Sequence, residues 1–330
     1  MRIDVEPWAP EFGSPIESEA LTPTDAQVDA SVEYAAALWR PLDAPHDVEP
    51  AGCVDFVDGV RRIDARAWLT FDDGTTRMGL CASFAAGRVR CAGASAQVVS
   101  AEIRRGLFST AGAPHLETRA GTWRAFAVAS DDIDRLSQGV QERMADLERV
   151  VAAAAADREH ALLVLDGPLT GKLDLAGAVG YVKTHRVAYL PPEVSPVIAR
   201  LAPGQRTPLF VTQGTWSRYS WYLRLPGPGA HAWSGIVRCE ASADLHIETA
   251  RRLADTTART LPRFASSPHK DPRAPQNLYP IAGLERELRR RLGDAAWIWR
   301  GIRSGASRMI PRIDLRELPN AQKGDVAIDG

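Results

Sequence analysis

The sequence predicts an α/β fold: a mixed sheet, part antiparallel meander and part parallel strands, flanked by helices and extended at both ends. Three observations carry this expectation. Ala161–Leu165 is an unbroken apolar run closed by Asp166-Gly167-Pro168, which reads as a short strand buried on both faces and ended by a turn. Residues 53–99 are strand-like runs separated by turn signals, as in an antiparallel meander. Between these regions, apolar residues at 133, 136, 140, 144, 147 and 151 recur every three or four positions, the spacing of a helix with one buried stripe. The implied layout is an acidic N-terminal arm over residues 1–50, a core over 51–298 and a C-terminal extension over 299–330.

The elements follow in order. The arm is acidic and proline-rich, with one helix expected over Thr24–Trp39, capped by Thr24 or Asp25. Cys53–Gly59 reads CVDFVDG, a first buried strand through Val54–Val57 that ends, like the later one, in Asp-Gly. Asp64–Phe71 and Arg77–Phe84 form a hairpin around Asp72-Asp73-Gly74, and Arg88–Val99 is a further strand. Ser130 is the expected cap of the long helix, with Asp131 and Asp132 in its first turn, where carboxylates suit the helix dipole. Ala176–His185 carries Lys183 on a short strand or loop. Phe210–Leu225 interleaves Trp216, Tyr219, Trp221 and Tyr222 with Arg218 and Arg224. That run is either a strand whose rings face a core or a surface on which bases stack. Trp233–Cys239 is a strand, and Ser242–Leu261 and Gly283–Leu292 are helices joined by the polar, proline-containing loop Ser266–Tyr279.

Composition narrows the function classes. The 330 residues are 45% apolar and 25% charged, an ordinary globular balance. No apolar run reaches the roughly 18 residues of a membrane span. The N-terminus is acidic and lacks the apolar stretch of a secretory signal, so a cytoplasmic protein is expected. Four scattered cysteines form no CxxC pair, which speaks against a zinc site. No glycine-rich phosphate loop is present, which speaks against a nucleotide-driven motor. Charge is segregated: Met1–Asp58 holds 2 basic and 13 acidic residues, whereas Arg251–Arg316 holds 15 basic and 6 acidic. The basic end suits a nucleic-acid backbone, or the two ends pack on each other. Arginine outnumbers lysine 36 to 4, which singles out Lys183.

Two strands ending in Asp-Gly can set Asp58 and Asp166 side by side at the carboxyl edge of the sheet, where open α/β sheets bind ligands. Paired carboxylates there suit hard divalent cations. Asp-Gly is equally the turn that closes an ordinary strand. On the helix, at about 100° per residue, Glu148 falls roughly 60° from the centre of the buried stripe and Glu142 about 180° from it. Glu148 can therefore lean into a site, while Glu142 faces solvent. Paired acids also serve glycoside hydrolases, a class separated from metal-dependent hydrolysis by its indifference to chelators.

In order, the chain has a meander with an acid on its first strand, a helix with an inward-leaning Glu, a strand ending in Asp-Gly, and C-terminal helices. This resembles an RNase H-like nuclease core and, more narrowly, the NurA nuclease family, partner of the HerA hexameric DNA translocase, over about residues 50–295. The matching residues are Asp58-Gly59, Glu148, Asp166-Gly167-Pro168-Leu169, Lys183 in VKTH, and Tyr279, Pro280 and Leu284 in NLYPIAGL. The resemblance implies manganese- or magnesium-dependent hydrolysis of DNA phosphodiesters by two ions on Asp58, Glu148 and Asp166, with Lys183 on a phosphate oxygen. It implies 5′–3′ exonuclease and single-strand endonuclease activity on DNA of any sequence, a homodimer, a HerA-type ATPase partner and no membrane. One departure stands out. The family pattern often has a histidine after Tyr-Pro, where this chain has Glu285-Arg286-Glu287-Leu288. Glu287, or His269 with Asp271 from the preceding loop, is left to fill that fourth position; otherwise the chain is a catalytically inactive subunit docked on a translocase ring.

Overall fold

The computed structural model describes residues 21–71, 73–110, 113–154, 161–169, 175, 177–214, 216–227 and 231–309. The described chain opens with β1 (Thr22–Pro23) and β2 (Gln27–Asp29). The helix expected over Thr24–Trp39 does not form. The Asp29 carboxylate accepts from the Ser31 backbone N–H at 2.8 Å, a local turn that competes with helix, and Glu33 is drawn into a buried ion pair with Arg206 at 2.9 Å.

Next come β3 (Cys53–Thr70), β4 (Thr76–Ala92), β5 (Ser95–Ser109), β6 (Leu116–Thr118) and β7 (Gly121–Ala127). The first strand and the first arm of the expected hairpin are one 18-residue strand, β3. Asp58 thus lies within a strand and not at its end. Gly59 carries no left-handed turn, and the strand continues past it. Helix α1 (Ile133–Ala153) follows. Its cap is Asp132, which accepts from Asp134 N at 2.9 Å, while Ser130 accepts two residues too early, from Asp132 N.

The chain continues with β8 (Leu162–Asp166), β9 (Ala178–Val182), β10 (Val187–Ala188), the short α2 (Val197–Arg200), β11 (Phe210–Gln213), β12 (Arg218–Arg224) and β13 (Ile236–Ser242). It closes with α3 (Ile247–Thr260), α4 (Tyr279–Arg291) and α5 (Ala295–Met309). Trp221 and Tyr222 of the aromatic run are buried in the core, while Trp216 is exposed. Among the described residues no helix is long and apolar enough to cross a membrane.

The chain divides into two compact units. The first comprises Met1–Arg62, Ser83–Arg104 and Ser137–Gly293. Its strand order is β2-β11-β12-β13-β9-β8-β3-β4-β5. At the centre β3, β8 and β9 run parallel, with Val57 opposite Leu165 and Asp166 opposite Tyr181. This is the mixed sheet expected from sequence. Val54, Phe56 and Val60 of β3 share one core with Leu162 and Val164 of β8 and Val179 and Tyr181 of β9. Helices α3 and α4 cover that core with Ala250, Ala254, Ala258, Leu284 and Leu288.

The second unit comprises Ile63–Ala82, Arg105–Leu136 and Asp294–Gly330. Its strand order is β3-β4-β5-β7-β6. Trp123, Leu107, Leu116, Ile298 and Ile302 form its core. Gly305 lets α5 approach β6: a Cβ there would lie 2.7 Å from the Glu117 carbonyl oxygen.

Candidate metal centre and active site

Side chains alternate across a strand, and that period builds the site. Val54, Phe56 and Val60 face the α3–α4 core, so Asp58 faces the same way. The same parity places Asp166 after Leu162 and Val164, and Lys183 after Val179 and Tyr181. Because Val57 pairs with Leu165, the next residues, Asp58 and Asp166, come level on neighbouring strands. Strand β8 stops there. Gly167 turns the chain with φ +89°, exchanging backbone hydrogen bonds with Tyr181 at 2.8 and 3.0 Å, and Pro168 has no N–H to continue the ladder.

Gly59 points to the opposite face, towards α1. A Cβ on it would lie 2.5 Å from Glu148 Oε1 and 3.0 Å from Met144 Cγ. The missing side chain is what lets the buried Glu148 reach β3 beside Asp58. Glu142 is exposed, as its place on the helix requires. Asp58, Glu148, Asp166, Lys183, Arg273 and Glu285 all line one cavity of about 650 Å³.

The electrostatics of this cavity are unbalanced. Asp58 is 5% exposed. Its Oδ1 accepts only from the adjacent Gly59 N–H, at 2.7 Å, and its Oδ2 is buried without a hydrogen-bond partner among the described residues. Asp166 Oδ1 is buried and unpartnered in the same way. Burial pushes the Asp58 carboxyl well above the usual carboxylate range; Asp166, Glu285 and Glu148 add to this, and Lys183 opposes it. Asp55, three residues earlier, is equally buried but takes hydrogen bonds from Arg88 and Arg90 at 2.8–2.9 Å. Asp55 is thus a neutralised structural acid, whereas Asp58 has no arginine. Its orphaned oxygen, level with that of Asp166, is a donor suited to a divalent cation.

Lys183 follows directly on β9. Its ammonium donates to Asp166 Oδ2 at 2.7 Å and to Asn277 Oδ1 at 3.0 Å. Burial would lower its pKa, but Asp166 and Asp58 outweigh that and raise it, so it stays charged. Asn277 is fully buried and donates to Asp271 Oδ2 at 2.9 Å. Asp271 is therefore the far end of a relay, Asp271–Asn277–Lys183–Asp166, and not a wall of the cavity. The loop is pinned by the Tyr181 hydroxyl, which donates to the Gln276 carbonyl at 2.6 Å.

The other residues singled out from sequence lie elsewhere. His269 is exposed and is not among the cavity's lining residues. Glu287 is half-buried, lies outside the cavity's lining and pairs with Arg290 and Arg291 at 2.8 and 2.7 Å, which pulls its carboxyl down to about 2. Tyr279 hydrogen-bonds Ser267 Oγ at 2.6 Å. In their place the structure brings in Glu285 of α4, ion-paired with Arg273. Oxygens of Asp58, Asp166 and Glu285 lie within 4.8 Å of one another. Periodicity could have found Glu285: taking Ile281 as zero at about 100° per residue, Leu284, Leu288 and Leu292 fall between roughly −60° and +20°. Glu285 falls at roughly +40°, on the edge of that buried stripe, and Glu287 at about −120°.

No curated protein matches the sequence. Among solved structures, the NurA nuclease from Sulfolobus solfataricus is similar over 77% of this chain and 84% of its own, at 11% identity and a TM-score of 0.45. The catalytic domain of human endonuclease V is similar over 76% and 91%, at 18% identity and a TM-score of 0.30. The NurA domain profile matches residues 76–290, about two thirds of the chain and every candidate site residue except Asp58, and on that match the chain belongs to the NurA family.

Proposed function

We propose that this NurA protein is a divalent-cation-dependent deoxyribonuclease, with residues 51–298 as its catalytic core and Asp58, Glu148 and Asp166 as cation ligands. The observation that carries this reading is the pair of buried, unpartnered oxygens, Asp58 Oδ2 and Asp166 Oδ1, level on adjacent parallel strands. Five acids, Asp58, Glu142, Glu148, Asp166 and Glu285, line the cavity against two cations, Lys183 and Arg273, so with all groups ionised the site is three charges negative. One divalent cation would leave a single negative charge. Two, manganese or magnesium, would leave one positive charge, which a substrate phosphodiester would balance. When bound, such ions activate a water and offset charge on the leaving oxygen.

The chain's own groups do the rest. Lys183 fixes the Asp166 carboxylate through Oδ2 and leaves Oδ1 free. Asp271 and Asn277 fix Lys183 in turn. Arg273 at the cavity wall offers a planar donor suited to a phosphodiester oxygen. The basic C-terminal third supplies attraction to the DNA backbone without sequence readout, so binding falls steeply with salt. Family resemblance supports the finer reading: 5′–3′ exonuclease and single-strand endonuclease activity in DNA end processing, as a homodimer with a HerA-type hexameric ATPase.

The test is digestion of single- and double-stranded DNA, labelled at the 5′ or 3′ end, with Mn²⁺, Mg²⁺ or EDTA. Wild type and Asp166→Ala are compared, with and without the cognate translocase. Cation-dependent cleavage lost in the variant supports the proposal, and the label released first gives the polarity. No cleavage by folded wild type with the translocase present overturns it in favour of an inactive docking subunit. Cleavage of a glycan that survives EDTA would point to the glycoside hydrolase class instead.

A further inference from the structure

We propose that Glu285 is a fourth carboxylate ligand of the divalent-cation site, filling from α4 the position for which the sequence offered Glu287 or His269 with Asp271. The inference deepens the cation-dependent reading above and rests on it. Its basis is convergence from three elements. Asp58 comes from β3, Asp166 from the end of β8 and Glu285 from the second turn of α4, and their oxygens meet within 4.8 Å. An acidic cluster alone would mean little. Here Asp58, more than nine-tenths buried, aims an oxygen with no protein partner into it.

Glu285 is held for this role. Leu284 and Leu288, on either side of it, are buried in the core beneath the sheet, so α4 cannot rotate the carboxylate away. Arg273 takes Glu285 Oε2. Its loop is in turn fixed by Arg273 N donating to Asp271 Oδ1 at 2.8 Å. A ligating carboxylate is normally held by such an outer hydrogen bond. Glu148 stands differently. It reaches the site from α1, across β3 and over Gly59, and so approaches Asp58 from the opposite face.

The donor set has a consequence for ion choice. Asp58, Asp166 and Glu285 offer only carboxylate oxygen, with no imidazole or thiolate in the cluster among the described residues. Such a set selects Mg²⁺ or Mn²⁺ over Zn²⁺, which prefers nitrogen and sulfur.

The experiment is Mn²⁺ titration of the full chain without DNA, following the free-ion electron paramagnetic resonance signal, with folding checked by circular dichroism. Glu285→Gln should weaken Mn²⁺ binding by on the order of 10-fold or more, while Glu287→Gln should leave it unchanged. Wild-type affinity in Glu285→Gln would overturn the inference while leaving the nuclease reading intact. No Mn²⁺ binding by wild type would overturn both. If Glu285→Gln does not fold, Glu285→Asp keeps the charge and withdraws it by one methylene; an intermediate loss supports the inference and wild-type binding overturns it. Glu285→His supplies an imidazole and should shift the Zn²⁺-over-Mn²⁺ preference upward by on the order of 10-fold; no shift counts against ligation.

Discussion

Replacing Gly59 with alanine adds one methyl group where β3 meets α1. The new Cβ would lie 2.5 Å from Glu148 Oε1, 3.0 Å from Met144 Cγ and 3.2 Å from the Ala85 carbonyl oxygen. The carbonyl belongs to the sheet and can give only a few tenths of an ångström. Glu148 and Met144 are flexible, so they move. Overpacking of this kind costs about 1–3 kcal/mol, or roughly 1.5–4 °C in melting temperature at this chain length. The fold therefore survives, but Glu148 is expelled from its place beside Asp58. Mn²⁺-dependent cleavage should fall by on the order of 10–100-fold, the cost of a lost or misplaced ligand, and Glu148→Gln should fall as far. Because both changes act through one carboxylate, the double variant should be no slower than Glu148→Gln alone. Wild-type cleavage by Gly59→Ala, or losses that multiply in the double variant, would refute the reasoning.

Other expectations follow from the same geometry. The native Asp58 carboxyl titrates above its ordinary value of 3.8, so the folded state holds a proton that the unfolded chain has lost. Metal-free stability should therefore fall as pH rises above about 3.8 and through the raised native pKa, and the melting-temperature gain on adding Mn²⁺ should grow from pH 5 to 8. Asn277→Ala strands Asp271 and one donor of Lys183 and should cost about 1–3 kcal/mol in urea unfolding, with slower cleavage as Lys183 loses its fixed direction. His185 is buried and its pKa is pushed down to about 4, so the native state holds it neutral. Its contribution to stability is lost as pH falls from 6.5 towards 4, and acid unfolding curves should be shallower in His185→Gln. Glu33→Ala breaks a buried pair with Arg206 and should cost about 3 kcal/mol while leaving Mn²⁺ affinity unchanged, which separates stability from site chemistry.

The site was legible in sequence to the extent that it is built from strand period and strand ends. Asp166-Gly167-Pro168 announces a buried strand that stops, and Lys183 is conspicuous in an arginine-rich chain. Glu148 follows from helix geometry alone, although the Gly59 side chain that must be missing for it to arrive is visible only in three dimensions. Asp58 was expected at a strand end. In fact β3 runs straight past it, because its partner β8 stops at Asp166 while its other neighbour, β4, continues. Glu285 is not singled out by the pattern after Tyr279-Pro280, which asks for a histidine. The angular test that picked out Glu148 on α1 also picks Glu285 over Glu287 on α4. The Thr24–Trp39 segment misled for a different reason: Glu33 and Trp39 look helical locally, but tertiary partners take them. Glu33 pairs with Arg206, and Trp39 Nε1 donates to the Ala30 carbonyl at 2.8 Å. Asn277 carries no sequence signal, since a buried amide in a proline-containing loop looks like any other polar loop residue.

Asp58→Asn tests the central claim most directly, since one atom changes and two observables move in opposite directions. The amide abolishes the charge that burial and neighbouring acids oppose, so in EDTA at pH 7.5 the variant should melt above wild type. The same change removes a cation ligand, so Mn²⁺-dependent cleavage of end-labelled DNA should be lost. A variant that is more stable and inactive is the result the account requires; one that cleaves DNA at the wild-type rate would contradict it.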